Sequence, residues 1–277
     1  MATLSHSDVL LTLQLSVGYG KKPAVLRDVR LEIRQGEVLG LVGQSGSGKS
    51  TLAMAILGLL GKQALVEGAI RLGDCDLLRL RERELRALRG RRLALVLQSP
   101  LSSLNPALKI RTQLREAWRA HASGSHEECE RTLRTALECV SLPSNDEFLR
   151  KYPAQMSVGQ AQRVLIAMAV MHRPALLIAD EATSALDVIT QSEILALFAQ
   201  LNRQTGMAIL YISHDLASVA GICGRIAILH EGQIVECGTA EQIFSSPQHE
   251  YTRRLMAAVP SLPRRIGTER VTGASAG

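Results

Sequence analysis

Aromatic side chains are scarce: one Trp, four Tyr and three Phe in 277 residues. The core must therefore be filled by aliphatics, and a 46% hydrophobic content suits a Leu/Val/Ala/Ile-rich α/β globule with one large core and room for a smaller lobe. Long apolar runs are missing too. Leu52 to Gly61 is too short to span a bilayer, and charges break the run from Val164 to Ile178. If the protein works at a membrane, another chain is expected to supply the membrane part. The start lacks the basic stretch, apolar core and cleavage site of a signal peptide, so none is expected. The five cysteines (Cys75, Cys129, Cys139, Cys223, Cys237) are odd in number and form no CxxC pair. That argues against a disulfide framework or a zinc site and predicts buried small side chains in a reducing cytosol. Nor is there a block of one charge. The net +6 is spread among acids, as where Glu82 and Glu84 sit within Arg79 to Arg92, so a mixed solvated surface is expected and no nucleic acid partner. No internal repeat is visible, which implies a single unit, not tandem copies.

What is present centres on Val38 to Leu52. An apolar run ends in Gly43-Gln44-Ser45-Gly46-Ser47-Gly48-Lys49-Ser50-Thr51, which then opens a Leu/Ala/Met-rich segment. This is the strand, phosphate loop and helix of a P-loop nucleotide site. Gly43, Gly46 and Gly48 are expected to let backbone N–H groups point at phosphate oxygens, with the following helix adding its N-terminal partial charge. Lys49 is expected to reach the β- and γ-phosphates, and the Ser50 hydroxyl to complete a magnesium shell.

Around this loop, residues 9–17 and 25–34 alternate apolar and polar like half-exposed strands, with a turn over 18–23. A short strand and turn are expected from Gly68 to Asp76, and further strands at Leu93–Leu97, Ala175–Ala179, Met207–Ile212 and Arg225–His230. Helical spacing over 109–121, 126–140 and 160–172 predicts a helical lobe inserted at about 99–172 between core segments 1–98 and 173–260. Helices are also expected after Asp187 and Asp215. The alternation implies a mostly parallel, covered sheet, and the Pro/Gly/Ser/Arg-bearing end, 261–277, is expected to be disordered.

Several polar residues follow the carboxyl ends of these apolar runs: Gln98, then Asp180-Glu181, then Ser213-His214-Asp215. In an open parallel sheet such ends gather at one crevice, where the phosphate loop also sits. Asp180 is the expected holder of magnesium beside Ser50, and Glu181 the acceptor of a proton from attacking water. Ser157 and Gln160 have capping-box spacing before an apolar helix. That pattern is satisfied by a plain helix cap or by a cap that also holds an anion through Ser157, Gly159 and the helix dipole.

Taken together, Gly43–Thr51, Gln98, Ser157–Gln160, Ala175–Glu181, Ser184–Asp187 and His214 resemble, in order and spacing, the ATPase subunits of ABC transporters over roughly residues 9–260. The resemblance implies a P-loop NTPase fold of the ABC type: a mostly parallel core sheet, an N-terminal antiparallel portion and the helical lobe. It also implies ATP and Mg2+ as ligands and head-to-tail dimerisation, each ATP lying between one subunit's phosphate loop and the other's Ser-x-Gly-Gln signature. On that basis Tyr19 stacks on adenine (or is only a turn aromatic), Gln98 senses magnesium and the γ-phosphate, Asp187 lies at the dimer seam, and His214 positions the γ-phosphate and water. The stretches Gln98–Pro106, Ala182–Val188 and Gln248–Leu255 look like the dipeptide/oligopeptide/nickel importer branch. The implied setting is peripheral, on the cytoplasmic face of a bacterial inner membrane. The implied partners are permease subunits, a second ATPase chain and, indirectly, a solute-binding protein. Val158 stands where the family usually has Gly, favouring pairing with a different cassette, and Ala182 replaces a usual Pro. No cysteine follows Cys237, so no iron–sulfur centre is expected. The alternatives are a soluble ABC-type ATPase acting on ribosome or DNA, and a P-loop kinase or GTPase, which leaves Ser157–Gln160 and His214 unexplained.

Overall fold

The N-terminal alternation resolves into β1 (Val9–Tyr19) and β2 (Leu26–Arg34), antiparallel strands in which Leu26, Val29, Leu31 and Ile33 turn inward while Arg30 and Glu32 face solvent. This is a computed structural model, and it describes residues 9–20 and 23–257; the segment expected to be disordered, 261–277, lies outside them. β4 (Ala64–Leu72) pairs with the other edge of β1, and β5 (Cys75–Asp76) closes a four-stranded sheet of order β2-β1-β4-β5. The strand expected from Gly68 thus starts earlier, at Ala64. Gly68 lies inside it, opposite Leu15, at φ +115°, where a Cβ would sit 2.0 Å from the Gln14 carbonyl oxygen. The glycine marks a close crossing of two strands, not a strand end.

A second sheet contains β3 (Val38–Val42), β6 (Leu93–Val96), β7 (Leu176–Asp180), β8 (Ala208–Ser213), β9 (Arg225–His230) and β10 (Gln233–Thr239). Its order is β10-β9-β3-β8-β7-β6, parallel throughout except for β10. The helices are α1 (Lys49–Ile56), α2 (Glu82–Leu88), α3 (Pro100–Ser103), α4 (Ile110–Arg119), α5 (His126–Cys139), α6 (Asp146–Leu149), α7 (Val158–Val170), α8 (Val188–Thr205), α9 (Leu216–Ile222), α10 (Ala240–Ser245) and α11 (Glu250–Ala257). Those from α3 to α7 lie in sequence between β6 and β7. Five helices were not anticipated: α2, the short α3 and α6, α10 and α11. In α2 only Leu85 is buried, so its charges read as plain surface.

Because side chains alternate along each strand, the parallel sheet divides two cores. On one face Leu39, Leu41, Leu176, Ile178, Leu210 and Leu229 pack with Leu52 and Ile56 of α1 and with the inner side chains of β1 and β2. On the other, Leu177, Ile209, Tyr211 and Ile228 meet Ile194 and Phe198 of α8, in one cluster with Leu114, Trp118, Leu133 and Val164 from the inserted helices. The phosphate-loop helix is therefore clamped between sheets, while the inserted helices share a core with the opposite face. Among the cysteines, Cys129 and Cys223 are buried as expected, and all five are free. Cys139 and Cys237 are exposed instead, because they fall at the end of α5 and on edge strand β10.

Gly68→Ala forces a Cβ into the Gln14 backbone at a left-handed φ, and is expected to cost about 2–4 kcal/mol of unfolding free energy. Urea unfolding checks this, and a loss below about 0.5 kcal/mol would contradict the packing described.

Candidate active site

The loop Gly43–Gly48 leaves the end of β3 and feeds α1. Gly46 and Gly48 take φ +80° and +108°, as expected of them, but Gly43 does not have a positive φ. Its need is space: a Cβ there would lie 2.2 Å from the Leu229 carbonyl oxygen of β9. The first turn of α1 carries no acidic residue, and Gly48, in the cap position, offers no side-chain acceptor. The free N–H groups of that turn, with the helix dipole behind them, form an anion site that no side chain of the helix occupies.

Lys49 is only 5% exposed. Its Nζ donates to the carbonyl oxygens of Gly43 at 2.8 Å and Gln44 at 2.9 Å, wrapping the loop around the ammonium. Burial lowers its pKa, while the charges of Glu181 and Asp180 oppose that shift. Asp180 ends β7 and is buried; burial raises its pKa, against a hydrogen bond from Ser50 and the charge of Lys49, while the charge of Glu181 adds to the rise. Its Oδ1 has no hydrogen-bond partner, nor does the buried Oγ of Ser47 in the loop. Both are hard oxygens. An orphaned carboxylate oxygen beside a serine hydroxyl and an anion-binding turn fits Mg2+, which takes one or two protein oxygens and fills its shell with water and phosphate.

Glu181 follows at φ +48°, a left-handed conformation that costs a non-glycine residue about 1–3 kcal/mol. The turn is held there by its surroundings. Glu181 N–H donates to the Ile212 carbonyl at 2.9 Å, Ser184 Oγ donates to the Glu181 carbonyl, and Thr183 Oγ1 lies 2.8 Å from the Tyr211 hydroxyl on β8. The Glu181 carboxylate, with its side chain 22% exposed, meets His214 Nδ1 at 3.3 Å. His214 sits just beyond β8, so the ends of β7 and β8 converge with the phosphate loop that follows β3.

Among the described residues, no hydrogen bond or ion pair joins the remaining candidates to this cluster. Gln98 is exposed in the bend after β6, and Tyr19, at the end of β1, is half-buried against the core of β1, β2 and α1. Ser157 caps α7, accepting from the Gln160 N–H at 3.2 Å while Gln160 Oε1 accepts the Ser157 N–H. Asp187 caps α8, its Oδ1 accepting from the Ile189 and Thr190 N–H groups, and these bonds lower its pKa. The two helix starts touch: a Cβ on Gly159 would lie 2.7 Å from Thr190 Cγ2. Among the described residues, no hydrogen bond or ion pair joins Ser157–Gln160 or Asp187 to the phosphate loop.

The sequence reading missed the outer brace of the loop. Gly232 N–H donates to the Ser47 carbonyl, and the Tyr251 hydroxyl of α11 accepts the Gln44 N–H at 3.2 Å. Gln44 and Tyr251 are 207 positions apart, too far for any local spacing to signal the contact.

Comparison with known proteins agrees with this geometry. The family model described as ABC transporter matches residues 26–184, and one described as oligopeptide/dipeptide transporter, C-terminal region, matches residues 235–276. The glutathione import ATP-binding protein GsiA of Salmonella typhimurium strain LT2 is 39% identical over 285 residues, covering 95% of this chain and 45% of that protein. GsiA of Escherichia coli O6:H1 is 41% identical over 275 residues, covering 94% and 43%. The chain thus spans less than half the length of these curated relatives. Among solved structures, the dimeric post-hydrolysis ATP-binding cassette MJ0796 bound to ADP and Pi superposes with TM-score 0.72 at 28% identity, covering 83% of this chain and 98% of that one. For cbiO1 of Clostridium perfringens, part of the cbiONQ transporter complex, the TM-score is 0.75 at 25% identity, covering 91% and 96%. The phosphate loop and Asp180-Glu181 both fall within the stretch that the first family model matches, and on that combined footing the chain belongs to the ABC transporter family.

Proposed function

We propose that this chain is the ATP-hydrolysing cassette of a bacterial importer for peptide-like solutes, peripheral to the cytoplasmic face of the inner membrane. The observation that carries the reading is the buried Lys49 ammonium, facing Asp180 and Glu181 across a helix N-terminus that no side chain caps. On binding, Lys49 leaves the Gly43 and Gln44 carbonyls for the β- and γ-phosphates, which accept from Gly46, Ser47, Gly48, Ser50 and Thr51 backbone N–H groups, with Gln44 and Ser45 shaping the loop's rim. Tyr19 stacks on the base. Ser50, Asp180 and Gln98 hold Mg2+, which when bound neutralises charge on the transferring phosphoryl group. Glu181 takes the proton of the attacking water, and His214, whose Nδ1 lies 3.3 Å from the Glu181 carboxylate, orients that water and the γ-phosphate.

Ser157, Gly159 and Gln160 act on the ATP of a second cassette, with Asp187 at the seam. Three exposed apolar side chains support this: Val158 at 38%, Val188 at 78% and Ile189 at 75% surround the contact between α7 and α8, a patch suited to burial by a partner. A valine at position 158 narrows the approach of the partner's phosphate, which favours a non-identical second cassette. Permease subunits dock at an apolar groove of about 320 Å³ lined by Leu57 and Leu59 at and just after the end of α1, Leu95 and Leu97 in and just after β6, and Leu165 and Met168 of α7. Among the described residues no helix is long and apolar enough to cross a membrane, in keeping with a peripheral place. A solute-binding protein takes part only through the permease. The names of the relatives, both glutathione importers, support a peptide-like cargo over nickel and do not favour the ribosome- or DNA-directed alternative.

Glu181→Gln is expected to slow ATP hydrolysis by about 10²–10⁴-fold while ATP affinity stays within a few-fold of wild type. Single-turnover rates and nucleotide titration check this; near-wild-type turnover removes Glu181 from the role. Leu59, 46% exposed at the groove, makes a second test. Leu59→Asp is expected to weaken co-purification with permease subunits by about tenfold or more and to leave basal hydrolysis unchanged. Undiminished capture would place the permease elsewhere.

A further inference from the structure

The stretch Gln248–Leu255, which marked only a branch of the family in the sequence, folds onto the outer side of the phosphate loop. Tyr251 is buried, with its ring stacked on His230 at a centroid separation of 3.7 Å and an interplanar angle of 14°. Its hydroxyl accepts the Gln44 N–H at 3.2 Å, and the carbonyl of that same residue receives Lys49 Nζ at 2.9 Å. The start of α11 is fixed in turn. Glu236 on β10 accepts the N–H groups of Gln248 at 2.7 Å and His249 at 3.0 Å, and His249 Nδ1 accepts the Tyr251 N–H at 3.1 Å. A continuous set of bonds therefore runs from β10 through Tyr251 and Gln44 to the ammonium.

We propose that Tyr251 is a positioning residue for nucleotide binding, fixing Gln44 so that the phosphate loop is already shaped when the triphosphate arrives. A loop with glycines at three of six positions from Gly43 to Gly48 has much conformational freedom to lose on binding. A hydrogen bond that orders it beforehand lowers that cost and so raises affinity. The inference rests on reading Gly43–Thr51 as the ATP site. It assigns to α11, which braces the loop from outside, the task of setting how tightly that site binds.

The test uses the full chain and two readouts: titration with a fluorescent ATP analogue, and the split between KM and kcat for ATP. Tyr251→Phe keeps the ring on His230 and removes only the acceptor. It is expected to raise Kd and KM by about three- to tenfold, with kcat within about twofold and Tm within about 2 °C. Tyr251→Ala, which also removes the stack, is expected to raise KM at least as far. A Tyr251→Phe variant that binds like wild type overturns the proposal. So does one in which kcat and Tm fall while Kd stays put, since α11 is then packing alone. If wild type itself fails to bind the analogue, the ATP-site reading falls and this proposal with it, an outcome distinct from the other two.

Discussion

The Lys49 ammonium is buried with two backbone carbonyls and two carboxylates around it, and the site takes its shape from satisfying that charge. An uncompensated ion at such depth costs several kcal/mol, so the loop closes on Lys49 until its carbonyl oxygens stand in for water. The same crowding leaves Asp180 with an orphaned oxygen and a raised pKa. Neither ion is at ease in the free chain. A ligand carrying dense negative charge toward Lys49 and a hard cation toward Asp180 relieves both at once, which is why a magnesium–triphosphate pair answers this constellation better than either component alone.

The division of the molecule into two cores gives that local chemistry mechanical reach. α1 is clamped between the two sheets and cannot shift without disturbing β1 and β2, whereas α7 belongs to the core on the opposite face. Glu181 and Asp187 begin and end the turn that leads from β7 to α8, and α8 touches α7 at Thr190 and Gly159. Glu181, the proposed base, and the exposed apolar patch at Val188 and Ile189 are therefore separated by a single short turn, held at one end by Tyr211 and Thr183. This proximity offers a route by which changes at Glu181 reach that exposed patch.

What could be read from the residues depended on how local the governing physics was. The phosphate loop was legible because its glycines and Lys49 act within nine positions, and the cap at Ser157 because a capping box needs only Gln160. Strand ends carrying Asp180, Glu181 and His214 followed from apolar runs that a parallel sheet must bury on both faces. Gly68 misled, since a glycine demanded by a crossing strand looks like a glycine that ends one. Gly43 was credited with a torsion when its constraint is the Leu229 carbonyl. Cys139 and Cys237 were taken as buried because their type usually is, yet helix ends and edge strands override residue type. Tyr251, and with it α11, was beyond reach: only tertiary packing brings it to Gln44.

The central claim is that the buried Lys49 and Asp180 are arranged for a magnesium-bound triphosphate. Its most direct test is calorimetric titration of ATP into the full chain with and without Mg2+, for wild type and Asp180→Asn. The account predicts that Mg2+ tightens ATP binding by about tenfold or more, some 1.4 kcal/mol, in wild type and hardly at all in the variant. Equal tightening in both proteins, or none in wild type, would contradict it.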